Sequence, residues 1–494
     1  VEANPGTLLE DLTISAGAGA VQLGRTPAST DTFGDTGVNE RLGVVTINAG
    51  AGAVDVYAAL TVARFIRNDS AGTLTFHAPV DVDFTGDDAL DVNNVSNVTF
   101  EDAATVTSSA GSDVNLDGDT TGNLTIGTGG MTLNGGFFEQ HFANVILGGT
   151  ISTDGGNITF SDDLDLTADL NLSTGAGVGG NISTQAIFST DITPASIRPY
   201  DIVIDAGTGS VSVGQIGLTG TGGGSEDDIN EVTISGDLGI TLNGNVFTGD
   251  DNQGSPQAGD VVFNDAVILA ASLTINTTDA AAGPAGDVDF NAAVDGTAIG
   301  DQSLTVVATG ATVTAGGAIG GITPLSALTV TADTMQLASD IFTDARGTDL
   351  DDTGNIDLTN LTTLDFVGTV SVLDSDAAGS NSNAGQILLP TTDINQTNLD
   401  LTIDARADGG GTSQSVSLGT ITLDSLNVGA AMVTFSNTVV LDGVDTAGSL
   451  DATADDALAV TAASIVFADA ASVTVLPGGG NVDLRGDGTG TVTV

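Results

Sequence analysis

Between Gly259 and Thr309 the chain states one phrase and then restates it. Gly259-Asp260-Val261-Val262-Phe263-Asn264-Asp265-Ala266-Val267 is followed by Ser272-Leu273-Thr274-Ile275. Gly286-Asp287-Val288-Asp289-Phe290-Asn291-Ala292-Ala293-Val294 is followed by Ser303-Leu304-Thr305-Val306. The apolar residues alternate with polar ones, the period of a half-buried strand. The distance from Phe to the next Leu stretches from Phe263–Leu273 to Phe290–Leu304 while the strands stay the same. A repeat of short strands joined by connections of free length restricts the chain to a repeat architecture, in which each unit buries its apolar face against its neighbours.

Other phrases recur in the same way. Leu12-Thr13-Ile14-Ser15-Ala16-Gly17-Ala18-Gly19-Ala20-Val21 returns as Val45-Thr46-Ile47-Asn48-Ala49-Gly50-Ala51-Gly52-Ala53-Val54. It returns again as Ile202-Val203-Ile204-Asp205-Ala206-Gly207-Thr208-Gly209-Ser210-Val211, and in part as Leu401-Thr402-Ile403-Asp404-Ala405. Each copy reads as a strand, a small-residue corner and a second strand. A further phrase ends in Phe: Val98-Thr99-Phe100, Ile158-Thr159-Phe160, Val433-Thr434-Phe435 and Ile465-Val466-Phe467 join Phe263 and Phe290. Its parity points these rings inward, as a stacked row. No helical spacing of apolar residues persists anywhere.

These features predict an all-β fold, a right-handed parallel β-helix (β-solenoid) with variable loops. The hand follows from the rule for parallel crossovers. Residues 1–494 read as a single elongated solenoid, with an irregular insertion or joint near 186–200, where Pro194, Arg198, Pro199 and Tyr200 cluster. A coil of about 25 residues would give about 20 coils at about 4.8 Å each. A string of immunoglobulin-like sandwiches would need units near about 100 residues built on a large core anchor, and the chain has no Trp.

Charge sets the second constraint. The 64 acidic residues face 8 basic ones, for a net charge of −56, and every basic residue is Arg. Phosphate recognition needs clustered Lys and Arg, so nucleic acid is excluded as a partner. Docking to anionic membranes is disfavoured, and no apolar run reaches the length of a membrane-spanning helix. Such a charge draws divalent cations and needs salt or bound cations to offset self-repulsion. There is no Cys, so neither disulfides nor thiolate metal sites stabilise the fold.

The phrases at Thr46–Val54, Gly286–Gly296 and Ile322–Ala332 resemble those of the large secreted β-strand-repeat proteins of the filamentous-haemagglutinin and autotransporter-adhesin type. The resemblance is one of repeat style over most of the chain. It implies a right-handed parallel β-helix, export to the cell surface, and a role in adhesion or matrix. It carries over no site residue.

Few motifs carry chemistry. Asp113-Val114-Asn115-Leu116-Asp117-Gly118 matches the first half of a calcium loop, with Asp119 following, but Leu124 stands where the bidentate Glu belongs. Asp349 and Asp351 form a second calcium candidate. The alternative reading of 113–118 is an ordinary strand with Val114 and Leu116 inward. The acid pairs Asp87-Asp88, Asp162-Asp163 and Asp455-Asp456 have the chemistry of an acid and base on a polysaccharide-cleaving β-helix, yet adjacent Asp residues are expected by chance in so acidic a chain. Asn-x-Ser/Thr triplets recur at Asn97, Asn123, Asn157, Asn181 and elsewhere; they mark either glycan acceptors or strands that start on Asn and continue through Thr. Arg485-Gly486-Asp487 spells an integrin-type tripeptide.

The expectation is a secreted, extracellular or cell-surface structural protein, not an enzyme. It needs no cofactor, with Ca2+ as the one candidate ion. Self-association into fibres is the expected partnership. An adhesin binding a surface glycan or protein through its loops is the alternative, and a polysaccharide-active enzyme the third reading.

Overall fold

The computed structural model describes residues 11–25, 32–34, 41–69, 71–84, 88–109, 111–175, 179–189, 200–218, 229–248, 259–278, 285–344, 354–376, 383–390, 394–407, 412–441, 456–468, 471–476 and 481–493. The fold is all-β, a parallel β-helix, and no described residue lies in an α-helix. No helix of the described residues is long and apolar enough to cross a membrane. The chain divides into two compact units: Val1–Thr241 with Asp250–Gly254, and Leu242–Gly249 with Ser255–Val494. Residues 190–199 of the expected joint lie outside the described residues.

In the first unit three short strands make one coil, and each coil lays its strands beside those of the next. Asp113–Gly118, Asn123–Ile126 and Met131–Leu133 form one coil. Phe137–Gln140, Asn144–Leu147 and Ile151–Thr153 form the next, paired in parallel with the first, strand for strand. These three faces are called here the first, second and third. The second face is an eight-stranded sheet of its own. The alternation read from sequence is obeyed: in Asn123–Ile126, Leu124 and Ile126 are buried while Asn123 and Thr125 face out.

Some corners are rounded within one strand, as by Ala59–Asn68 in the first unit, where Leu60–Val62 pair with Val80–Val82 and Phe65–Asn68 with Leu90–Asn93; the second unit does this too. Ser303–Ala315 is a single strand that rounds a corner, pairing with Leu273–Asn276 along its first part and with Val288–Phe290 along its last. Gly310, at φ 86°, sits at the bend. Ala327–Leu337 stacks on it with the register shifting between Ala308 and Thr312. Other corners are tight turns such as Ala49–Gly52 in the first unit, closed by the Gly52 amide donating to the Ala49 carbonyl at 2.8 Å.

The phrases of the sequence are stacked rungs. Leu12, Thr13 and Ile14 lie beside Val45, Thr46 and Ile47, and Val21 lies beside Val54. Val261 and Phe263 lie beside Val288 and Phe290, and Leu273 beside Leu304. The step to the next coil varies, from 17 residues at Ser415–Met432 to 34 at Thr438–Ser472. One feature differs from the plain repeat reading. In the first two copies of the small-residue corner, the strand that follows joins the eight-stranded sheet; in the copy at 202–213 it joins a different face. The phrase is therefore a local solution for any corner, because Ala and Gly are what a tight bend against a neighbouring coil admits.

Phe side chains fill the interior in small groups. Phe76 stacks on Phe100 at 4.9 Å, with Phe65 edge-on to Phe76 at 5.4 Å. Phe263 stacks on Phe290 at 5.3 Å and Phe435 on Phe467 at 4.9 Å. The expected row is broken into short runs because Ile126 and Ala315 take the register positions after Phe100 and Phe290. Offset stacking adds about 1 kcal/mol per pair to the burial of each ring.

Candidate functional site

Asp113, Asn115 and Asp117 stand on the strand Asp113–Gly118 and face outward, with Val114 and Leu116 in the core. On an extended strand alternate residues are about 6.6 Å apart, so Asp113 and Asp117 are separated by about 13 Å. Each is directed elsewhere. The Asp113 carboxylate accepts the Gly136 amide, the Asn115 amide donates to Asp88 at 3.2 Å, and Asp117 meets His141 Nδ1 at 2.8 Å. The structure does not bring the three together. Asp119 bonds Ser96 and Thr121, which hold its carboxyl below the usual range. Asp349 and Asp351 lie outside the described residues. Among the described residues no three acid or histidine side chains converge as a metal site.

The acid pairs are split in a similar way. Asp162 accepts the Phe142 amide of the preceding coil at 2.7 Å, whereas Asp163 accepts the Ala186 amide of the following coil at 3.1 Å. Asp87 and Asp455 are outside the described residues; Asp88 pairs in register with Asp113, and Asp456 with Asn481. The Asn triplets form ladders. Asn97 Oδ1 accepts the Asn123 amide, Asn123 Oδ1 accepts Asn144 Nδ2, and Asn157 Oδ1 accepts the Asn181 amide, all near 3 Å. Arg485-Gly486-Asp487 lies within the strand Asn481–Thr493, with Arg485 ion-paired to Asp483.

Both histidines of the chain sit at corners of the first unit. His77 stacks face to face on Tyr57 at 4.0 Å, with Glu101 2.8 Å from Nδ1 and Asp55 3.4 Å from Nε2. His141 is exposed at φ 61°. Arg41 reaches Asp81 at 3.0 Å, and Arg64 reaches Asp91 at 2.8 Å, both across coils.

Two buried charged sites, the Arg67–Asp69 pair and Glu139, were not singled out by sequence reasoning, and among the described residues they are the strongest chemical features of the unit. Both act where the chain turns from the first face to the second. Asp69 accepts the amides of Ala49 at 3.0 Å and Gly50 at 2.8 Å. Arg67, wholly buried, bonds Asp69 through Nε at 3.0 Å and reaches the carbonyls of Gly52 and Thr73. Burial lowers the Arg67 pKa, against the pull of Asp69.

Glu139 is the second. It occupies an inward position, between Leu116 and Phe160 in register, and is 1% exposed. Its Oε2 accepts the amides of Ser161 at 3.1 Å and Asp162 at 3.3 Å, while Oε1 meets no donor. Burial first, and then the Asp162 carboxyl beside it, push the Glu139 pKa up to about 8. The parity of Phe137-Phe138-Glu139-Gln140 was the available signal: if Phe137 faces inward, so does Glu139.

No protein-family model, curated protein or solved structure matches the chain. What the geometry offers is a repeat scaffold: ladders outside, rings inside, and acids that tie corners of adjacent coils.

The second unit adds a shallow groove of about 260 Å³ lined by Thr359, Leu388, Pro390, Ser417, Ser436 and Asn437. Its loops share one device. Buried hydroxyls of Thr248, Thr277, Thr343 and Ser375 donate to the carbonyls of Gly259, Gly286, Gly354 and Gly385. Thr174 does the same to Gly180 in the first unit.

Proposed function

We propose that the chain is an extracellular structural protein, a subunit of a cell-surface fibre, filament or surface layer. The observation that carries this reading is the registered stacking of coils. Like residues lie beside like along the stack, as in Val98–Leu124 and Thr99–Thr125. Parallel strand addition of this kind works between molecules as it does within one. The net charge of −56 suits a saline or calcium-containing medium, in which cations screen repulsion between neighbouring subunits. The resemblance of the phrases to those of haemagglutinin- and adhesin-type repeat proteins agrees with export to the surface. Electron microscopy of the purified chain in saline, with and without calcium, tests the reading. Filaments or ordered sheets are expected, and dispersed particles under every salt and calcium condition would sink it.

A second reading, an adhesin, is favoured by the hydroxyl clasps at the loop necks, which hold loops of different length on a constant frame. Replacing residues 278–285 with a short Gly-Ser linker should then abolish binding to the target surface and leave the thermal unfolding of the scaffold unchanged.

A further inference from the structure

The interior of the first unit is apolar along the column that contains Glu139. Val92 and Leu116 precede it in register and Phe160 follows it. A carboxylate placed there must be paired or neutral. No cation pairs with Glu139 among the described residues, and the chain contains no Lys. The charged groups on the elements around it are acids with engagements of their own, apart from His141. Asp113 and Asp117 project outward from the preceding strand, and Asp117 takes His141. Asp119 bonds Ser96 and Thr121, and Asp163 caps Ala186. Only Asp162 couples with Glu139.

We propose that Glu139 and Asp162 form a shared-proton latch that fastens one coil corner to the next and is released by alkaline pH. When Glu139 carries the proton, its hydroxyl donates to the Asp162 carboxylate, and the two acids attract. Asp162 in turn holds the Phe142 amide, and Glu139 Oε2 holds the amides of Ser161 and Asp162. The latch thus closes two corners at once, over the Phe137–Phe160 contact at 5.0 Å. Loss of that proton leaves two carboxylates side by side, one of them buried, and like charges there repel. The corner then opens and admits water to the rings. The sharp upward displacement of the Glu139 pKa supports this reading. A surface protein with this latch would loosen one defined segment as the medium turns alkaline, with the rest of the coil stack intact.

Hydrogen exchange read by mass spectrometry on the full chain tests it, with rates corrected for the intrinsic effect of pH. Peptides covering 137–142 and 158–163 should lose protection at least tenfold between pH 6 and pH 9, and peptides around Arg67 and Asp69 should not. Glu139→Gln, neutral at every pH, should abolish the step. Asp162→Asn should move its midpoint to lower pH, because the neighbouring charge that favours the proton is gone. If Glu139→Gln fails to fold, Glu139→Leu, which copies its register neighbour Leu116, serves in its place. A step of equal size in the wild type and the neutral variant, or no step in the wild type, overturns the proposal.

Discussion

Two corners of the first unit solve one problem in opposite ways. At each, a buried acid accepts two backbone amides from the turn of an adjacent coil. Asp69 does so for Ala49 and Gly50, and Glu139 for Ser161 and Asp162. Asp69 has Arg67 at 3.0 Å to balance its charge. Glu139 has only another acid beside it, so a proton does what a guanidinium does elsewhere. The Arg67 corner is insensitive to pH through the neutral range, because Arg stays protonated there. The Glu139 corner depends on its medium. In a chain with 64 acids and 8 basic residues, cations are scarce, and a proton is the counter-charge that remains.

The comparison breaks most visibly at Arg67. Arg67→Met removes the cation and strands Asp69 in the core, an effect of roughly 3–5 kcal/mol. Urea unfolding at pH 7 should show the loss. Adding Asp69→Asn should return part of it, since the stranded charge is then absent. Glu139→Gln comes next. The folded protein holds the Glu139 proton up to about pH 8, whereas the unfolded chain releases it near pH 4.5. The stability this proton supplies is therefore full below about pH 4.5 and lost as pH rises through about 8, a change of at most about 5 kcal/mol. Melting curves at pH 5 and pH 9 should differ less for Glu139→Gln than for the wild type.

Smaller effects sharpen the picture. Gly50, one of the two amides that Asp69 holds, has φ 54°, and a Cβ there would lie 2.8 Å from the Gly17 carbonyl oxygen. Gly50→Ala should cost roughly 1–3 kcal/mol by thermal melting, with no pH dependence of its own. Asp117→Asn, at the exposed pair with His141, should change stability by less than about 0.5 kcal/mol. A large effect there would mean that the outer pair, and not Glu139, holds that corner.

Much of the fold is legible in the sequence, since strand parity and phrase repetition are local and survive stacking. Val261 and Phe263 could be aligned with Val288 and Phe290 by eye, and they lie side by side. The outward Asn of Asn97-Val98-Thr99 and Asn123-Leu124-Thr125 could equally have been glycan acceptors; the ladder bond between them depends on which strand lies next door, and register is not written in either triplet. The calcium-like spacing at Asp113–Gly118 shows a related limit of local reading. The spacing is that of a loop, but alternation with Val114 and Leu116 makes the segment a strand, which spreads its acids apart. Arg67 and Glu139 are readable by parity alone, from Phe65 and Phe137 two positions before them, although their charge argues for the outer face.

The hydroxyl clasps have a consequence for how such a chain can change over time. Thr174–Gly180, Thr277–Gly286 and Thr343–Gly354 join residues 6, 9 and 11 positions apart with the same bond. Closing a longer loop costs only about 0.6 kcal/mol for each doubling of its length. Segments between a clasp Thr and its Gly are thus exchangeable cassettes, free to lengthen, shorten or take up new sequence. Selection for new contacts can act there while the coils beneath bear only that small closure cost.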